Sequence, residues 1–296
     1  MDTTIDICVC TYKRDSLTAT LRSLMVQKVP DGVSLRIIVA DNDEVPSAEA
    51  LIRQISPQTG PEILYRHAPA RNISIARNAC LDVADAPFVA FIDDDEIAPP
   101  DWLSRMLSKI ESSQTTAVFG ASKAIYADDT PDWIIQKDYH SNHPQRRSGR
   151  VETGYTCNAL LRYDDPVIRD QRFLLEKGRT GGEDTEFFFR LYRLGATFEI
   201  CDDAMVFEKV GMDRVNFDWL SRRRFRFGQS YGKHSAVSRR SKLTMGGLAC
   251  IKSGVSLLLA LIFVASRTDR NFWLLRAVFH GGVVAGLSGW REKELY

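Results

Sequence analysis

The 296-residue sequence predicts an α/β fold, a mostly parallel central sheet flanked by helices. Three observations carry that expectation. Apolar, β-branched runs at residues 5–10, 35–40 and 88–92 alternate with stretches of helical periodicity. Each run stops abruptly in a polar loop, at Thr11, at Asp41 and at Asp93. In open sheets of this kind the strands' carboxyl ends share one edge, so these loops line a single crevice where a nucleotide can lie.

The elements follow in order. Residues 5–10 form the first strand and run into Thr11-Tyr12-Lys13-Arg14-Asp15. Ser16 is placed to cap a helix through Leu17, Leu21 and Leu24, which Pro30-Asp31-Gly32 stops. Residues 35–40 make a second strand closed by Asp41-Asn42-Asp43, and 48–55 a short helix. Residues 63–65 read as an edge strand and 73–81 as a helix carrying Arg77 and Asn78. Residues 88–92 complete the alternation and end in Asp93-Asp94-Asp95. Further on come a helix through Leu103, Met106, Leu107 and Ile110, a strand over 117–125 and a polar, aromatic loop over 126–150 with Trp133, Tyr139, His140 and His143. Aromatic faces there would stack on a sugar ring, or anchor an ordinary surface loop. A strand beginning near Cys157-Asn158, a helix opened by Thr180-Gly181-Gly182-Glu183-Asp184 and a short strand within 200–207 finish the globular part.

Three adjacent carboxylates repel one another, so Asp93-Asp94-Asp95 needs a cation, a proton or full solvation. At the end of an α/β strand a divalent cation with a phosphate is one reading, and a solvated acidic turn the other. Asp41 can accept a hydrogen bond from a base or a ribose, or can satisfy backbone donors of its own loop. Arg77 in an apolar helix points to phosphate or to a structural ion pair. Glu183 and Asp184 suit a helix N-terminus, and a second acid beside two glycines also suits a general base. The chain has no GxGxxG after its first strand and no GxxxxGK[ST] anywhere, which disfavours a dinucleotide oxidoreductase and a P-loop phosphotransferase.

Composition bounds the rest. The formal charge is +1 with 44% hydrophobic residues. Six scattered cysteines form no CxxC pair, so nothing requires an oxidising compartment. The short acidic start Met1-Asp2-Thr3-Thr4 shows no cleavable signal, which places the catalytic part in the cytosol. Residues 214–242 are strongly basic but lack a nucleic-acid motif, so diphosphate or an anionic membrane surface is the expected partner rather than nucleic acid. Residues 243–265 are long and apolar enough to cross a bilayer, with Lys252 inside, and 272–290 form a second apolar segment holding Arg276 and His280. Interfacial helices and a hairpin packed on the globular part are the competing readings. The expected domains are therefore 1–212 (nucleotide half 1–98, acceptor half 99–212), a basic link 213–242 and a membrane-associated helical segment 243–296.

Read together, Cys10-Thr11-Tyr12-Lys13-Arg14, Asp41, Asn72-Ile73-Ser74-Ile75-Ala76-Arg77-Asn78, Asp93-Asp94-Asp95, Thr153-Gly154-Tyr155-Thr156-Cys157-Asn158, Gly181-Gly182-Glu183-Asp184 and Arg222-Arg223-Arg224-Phe225-Arg226 resemble the family-2 inverting glycosyltransferases of GT-A fold. Within that family the chain is similar to the ExoM-type glucosyltransferases of succinoglycan and exopolysaccharide synthesis. The resemblance implies transfer of a hexose, glucose from UDP-glucose, onto a polyprenyl-diphosphate-linked oligosaccharide at the cytoplasmic face of the inner membrane. It implies a nucleotide site lined by Thr11, Arg14, Asp41, Arg77, Asp93 and Asp94, with Asp41 toward uracil and Asp93 and Asp94 toward ribose and phosphate. Asp95 would ligate Mg²⁺ or Mn²⁺, Asp184 would be the catalytic base, and Glu183 would position the acceptor or the base. Relatives often carry a histidine where this chain has Phe207, before Glu208, so the cation would rely on Asp95, diphosphate oxygens and water, or on help from His140, His143 or Glu208. A nucleotidyltransferase and an inactive transferase-fold scaffold remain the alternatives.

Overall fold

The computed structural model describes residues 3–55, 60–235 and 238–290. The described residues form two compact units, one within 3–123 and 142–208, the other within 124–141 and 209–290. The elements expected in the acceptor half are thus divided. Residues 124–141 belong with the C-terminal helices because Ala124, Trp133, Ile134 and Tyr139 share a core with Val210, Val215, Leu220 and Leu275. The aromatic residues expected on a surface loop are mostly core: Trp133, Tyr139 and His140 are all buried.

The first unit alternates strands and helices. In order these are β1 (Thr3–Thr11), α1 (Leu17–Met25), β2 (Val33–Asp41), α2 (Glu49–Ile55), β3 (Glu62–His67), α3 (Ile73–Leu81), β4 (Phe88–Asp93), β5 (Glu96–Ile97), α4 (Trp102–Ser113), β6 (Ala117–Phe119) and β7 (Ser122–Ile125), which leads out of the unit. The second unit's short α5 (Asp132–Ile135) follows. The chain then returns through β8 (Asn158–Arg162), α6 (Pro166–Arg169), α7 (Glu183–Arg193), β9 (Phe198–Ile200) and β10 (Val206–Lys209). The main sheet has order β3-β2-β1-β4-β8-β6-β9, and only β8 opposes the other strands. A small sheet has order β5-β10-β7.

Strand alternation explains the layering. Ile5, Ile7, Val9, Ile37, Val39, Ala90 and Ile92 pack on α1 and α4. Cys8, Ile38, Ala40, Val89 and Phe91 face the other way, onto Ala76, Cys80 and Leu81 of α3 and Phe187, Phe188 and Leu191 of α7. Asp6 interrupts β1 with a buried carboxylate, which Arg36 on the paired strand holds through Nε at 2.7 Å and Nη2 at 2.8 Å. All six cysteines are free.

Three expectations change in detail. Ser16 precedes α1 without a side-chain capping bond. The single strand expected over 117–125 is two, β6 and β7, in different sheets. The break falls at Gly120, where a Cβ would lie 2.1 Å from the Ala204 carbonyl oxygen and 2.3 Å from Asn158 Nδ2. Only a residue without a side chain lets these backbones meet. The basic stretch expected as a link is largely a helix, as follows.

The second unit adds α8 (Phe217–Ser235), α9 (Arg239–Ile262) and α10 (Arg267–Leu287). Helix α8 crosses α10 at glycines from both sides. A Cβ on Gly228 would sit 2.1 Å from the Phe279 carbonyl oxygen, and one on Gly282 would sit 2.0 Å from that of Phe225. Gly232 and Gly286 repeat the contact one turn on. Close backbone approach at paired glycines is a recurrent way to join helices where apolar packing alone is weak. The arginines of α8 are engaged locally: Arg222 pairs with Asp218, Arg223 lies 5.1 Å from the Trp219 and Phe227 rings, and Arg224 lies 5.6 Å from Tyr139.

Candidate active site

Parallel pairing brings the strand ends together. Thr11 pairs with Asp41, Asp41 with His67, and Cys10 with Asp93, so β1, β2, β3 and β4 finish along one edge. The central parts of β1, β2 and β4 are largely apolar, and the chain turns polar where they end.

At this edge Thr11 Oγ1 is buried without a close hydrogen-bond partner among the described residues, and its hydroxyl acts on the Asp94 carboxyl against the burial that raises it. Asp41 is fully buried, and its oxygens are largely committed: Oδ1 accepts from the Asp43 backbone N–H at 3.1 Å, Oδ2 from the Ala48 N–H at 2.8 Å and the Tyr65 hydroxyl at 3.0 Å. Of the two readings for Asp41, the geometry favours the loop organiser. Asp43, passed over in the sequence, is equally buried. Its Oδ1 accepts from the Glu44 N–H at 2.7 Å and lies 3.3 Å from Lys13 Nζ, while Oδ2 has no partner among the described residues. An unpaired buried oxygen is costly, so Asp43 and Thr11 are the positions where a ligand donor would be best received. Nothing in the spacing of Asp41-Asn42-Asp43 distinguishes which acid is left unpaired; only the turn geometry does.

Asp93-Asp94-Asp95 closes β4. Asp93 is held near Arg77, with Arg77 Nη2 3.8 Å from Asp93 Oδ1, and its backbone N–H donates to Glu96 Oε2 at 3.2 Å. Although nearly half its side-chain surface stays open, desolvation in the recess pushes the Asp93 carboxyl up to about 7; Arg77 opposes this, and Asp95, Asp94 and Glu208 add to it. Burial likewise moves Asp94 up to about 6. Asp95 sits 3.7 Å from Arg14 Nη1. Glu208 pairs with Glu96 across β10 and β5, and both are buried, so further carboxylates crowd the same floor.

Helix α3 fixes the opposite wall. Asn72 caps it, accepting from the Ile75 N–H at 3.2 Å, and its Nδ2 donates to the Leu175 carbonyl at 2.8 Å. Asn78 exchanges two bonds with the Phe173 backbone, at 2.9 and 2.8 Å. Gly178 must be glycine here, since a Cβ would lie 1.8 Å from Asn72 Oδ1. These contacts anchor residues 173–178, and the chain then turns through Gly181 and Gly182, both with φ near +80° (83° and 80°), into α7. Two successive left-handed residues explain the glycine pair and aim Glu183 and Asp184 inward from the first turn.

Arg77 joins the two acidic groups. Only 7% of its side chain is exposed; Nη1 donates to Glu183 Oε1 while Nη2 faces Asp93, and the guanidinium lies 5.5 Å from the Phe173 ring. Of the two readings of Arg77, the ion pair is formed, with Glu183 on one side and Asp93 on the other. The Cys157 thiol is pushed far up, by burial first and then by Glu96, Asp93, Asp184 and Glu208. Asp184 is raised to about 6, by burial first and Glu183 next, with Arg77 and the Thr185 bonds pulling it down. Its Oδ1 accepts from the Thr185 N–H at 2.6 Å.

The donor set suits a hard cation only in part. Carboxylate oxygens abound and repel one another, as a cation site requires. Yet among the described residues no three His, Cys, Asp or Glu side chains converge as a complete metal site. An ion such as Mg²⁺, which keeps much of its shell as water and phosphate oxygen, needs no more than one or two of them. Asp95 and its neighbours meet that requirement. His140 is engaged elsewhere, 3.2 Å from the Tyr126 hydroxyl and 3.2 Å from the Arg214 carbonyl oxygen, and Phe207 has no ligating atom.

Comparison with known proteins agrees with this architecture. The crystal structure of S. aureus TarS residues 1–349 superposes with a TM-score of 0.54 at 13% identity, covering 98% of this chain and 93% of that one. The same fragment in complex with UDP gives 0.53 at 13% identity. The succinoglycan biosynthesis protein ExoM of Rhizobium meliloti (strain 1021) is 44% identical over 295 residues, 99% of this chain and 95% of its own length. The profile of Glycosyl transferase family 2 matches residues 6–165. The chain therefore belongs to glycosyltransferase family 2, with the GT-A fold.

Proposed function

We propose that the protein transfers a hexose, glucose from UDP-glucose, with inversion onto a lipid-linked oligosaccharide of exopolysaccharide synthesis at the cytoplasmic face of the inner membrane. The observation that carries the reading is the Arg77 bridge, which ties the Asp93 group to the Glu183 pair across one recess. One acidic group can then meet the leaving diphosphate and the other the incoming alcohol.

In this reading Thr11 and Asp43 receive donors of the nucleoside, Asp41 holds their loop in shape, and Arg14 and Arg77 offset phosphate charge. Asp93 and Asp94 line the ribose and diphosphate, and Asp95, with diphosphate oxygens and water, would hold Mg²⁺ or Mn²⁺. When bound, that cation supplies Lewis-acid stabilisation to the departing UDP. Asp184 takes the proton from the acceptor hydroxyl as the new glycosidic bond forms, so a single displacement suffices. Glu183, fixed by Arg77, positions Asp184. An apolar outer face on α9 supports membrane contact, where a polyprenyl-diphosphate-linked acceptor resides.

Incubating the protein with a panel of UDP-sugars and lipid-linked acceptors tests this directly. The expected products are free UDP and an acceptor one hexose longer, with UDP-glucose the best donor. Release of inorganic diphosphate would instead indicate nucleotidyl transfer, and no turnover with any donor would favour a scaffold.

A further inference from the structure

Helix α9 is covered on one side only. Ala249, Ser256 and Ala260 are buried, whereas Leu248, Ile251, Val255, Leu258 and Ile262 are exposed, Leu258 to 62% and Ile262 to 71%. At 3.6 residues per turn these five form one continuous apolar stripe. A patch of this kind marks an interaction surface.

Its cations indicate the partner. Ser253 Oγ donates to the Ala277 carbonyl at 3.2 Å, which fixes the register between α9 and α10. Lys252 and Arg276 each directly precede one of these two residues, and His280 follows Arg276 by one turn. Arg276 and Lys252 are the charged groups that bear on His280, whose Nε2 is buried without a partner among the described residues. Lys252 lies at the edge of the apolar stripe and not on its crest. Basic residues also stand at both ends of the helix, Arg240 and Lys242 in its first turn, Arg267 and Arg270 beyond its last.

This pattern separates two ways of meeting a bilayer. The helix is long enough to span, about 36 Å at 1.5 Å per residue. A spanning α9 would bury Lys252 at mid-membrane and leave one basic end on the far side, against the usual bias of cations to the cytoplasmic side. Lying in the plane, it keeps all three basic positions at headgroup depth while the stripe enters the acyl region.

We infer that α9 is an in-plane membrane helix whose apolar stripe inserts among acyl chains while Lys252 and Arg276 receive the phosphate of an anionic phospholipid. The inference rests on the membrane contact proposed above and adds the orientation, the lipid class and the residues.

The test is flotation of the full chain with vesicles of phosphatidylcholine alone or mixed with phosphatidylglycerol. Binding is expected only in the mixed vesicles, falling about tenfold or more for the double variant Lys252→Glu/Arg276→Glu, and weakening as salt screens the charges. Leu258→Asp should abolish binding while circular dichroism shows the helix content unchanged. Alkaline carbonate should release the protein from membranes. Equal binding to neutral vesicles, insensitive to Lys252 and Arg276, would overturn the lipid assignment and leave membrane contact standing. Resistance to carbonate would overturn the in-plane orientation. Binding to no vesicle, or a lipid-free dimer dissociated by Leu258→Asp, would overturn both readings.

Discussion

Replacing Asp184 with Asn should cut kcat by about 10²–10⁴-fold, the range for loss of a general base. At 1.36 kcal/mol per decade this is roughly 3–5 kcal/mol of transition-state stabilisation. Folding should be unaffected, because Asn can still accept the bond from the Thr185 N–H. The pH profile gives an independent sign. A base must be ionised, and Asp184 is raised to about 6. Wild-type kcat/KM should therefore be flat above about 7 and fall tenfold per unit as pH drops below about 6, since this ratio reports the free enzyme. The share of that acidic limb due to Asp184 should be lost in Asp184→Asn, leaving what Asp93 and Asp94 contribute. Full turnover in the variant, measured by UDP release, would remove Asp184 from the mechanism.

Arg77→Met should have the largest effect on stability. The change keeps an unbranched chain of similar length but leaves the carboxylates of Glu183 and Asp93 without their shared cation. Breaking a buried pair from one side costs about 3–5 kcal/mol. For a unit of this size that lowers Tm by about 10 °C. Glu183→Gln in the Arg77→Met background should recover part of the loss, because it removes one stranded charge. Arg77 also holds Asp184 down, so in any active Arg77 variant the acidic limb should move to higher pH. Arg77→Lys keeps the charge without the fork that reaches both acids, and should fall between the two. A Tm within 1–2 °C of wild type for Arg77→Met, roughly half a kcal/mol, would show that the bridge is not formed.

The strand ends at Thr11, Asp41 and Asp93 were legible because buried parallel strands are nearly continuous apolar runs, and their stops are abrupt. The glycine pair before Glu183 was legible too, since two residues needing positive φ have few other chemistries. What escaped depended on distance in space. Arg77 and Glu183 are 106 positions apart, and no local pattern pairs them. Asp43 differs from Asp41 only in which oxygen a turn leaves unpaired. Gly120 splits one apparent strand because another backbone passes beside it, which propensity does not encode. Trp133 and Tyr139 sit in a polar stretch and look exposed, yet their core partners come from residues 210–275. Gly228 and Gly232 stand four apart in α8, and only the facing pair at Gly282 and Gly286 gives that spacing meaning.

The central claim is that the Asp93–Asp95 floor takes the donor's diphosphate while Asp184 faces the sugar from across the recess. The most direct measurement is anomalous diffraction from crystals grown with UDP and Mn²⁺. The account predicts an anomalous peak beside Asp95 in contact with diphosphate oxygens, the uracil-ribose end at Thr11 and Asp43, and the Asp184 carboxylate on the opposite wall with open space between. Nucleotide bound away from the carboxyl edge of β1 and β4, or an Asp184 side chain turned away from the bound diphosphate, would contradict it.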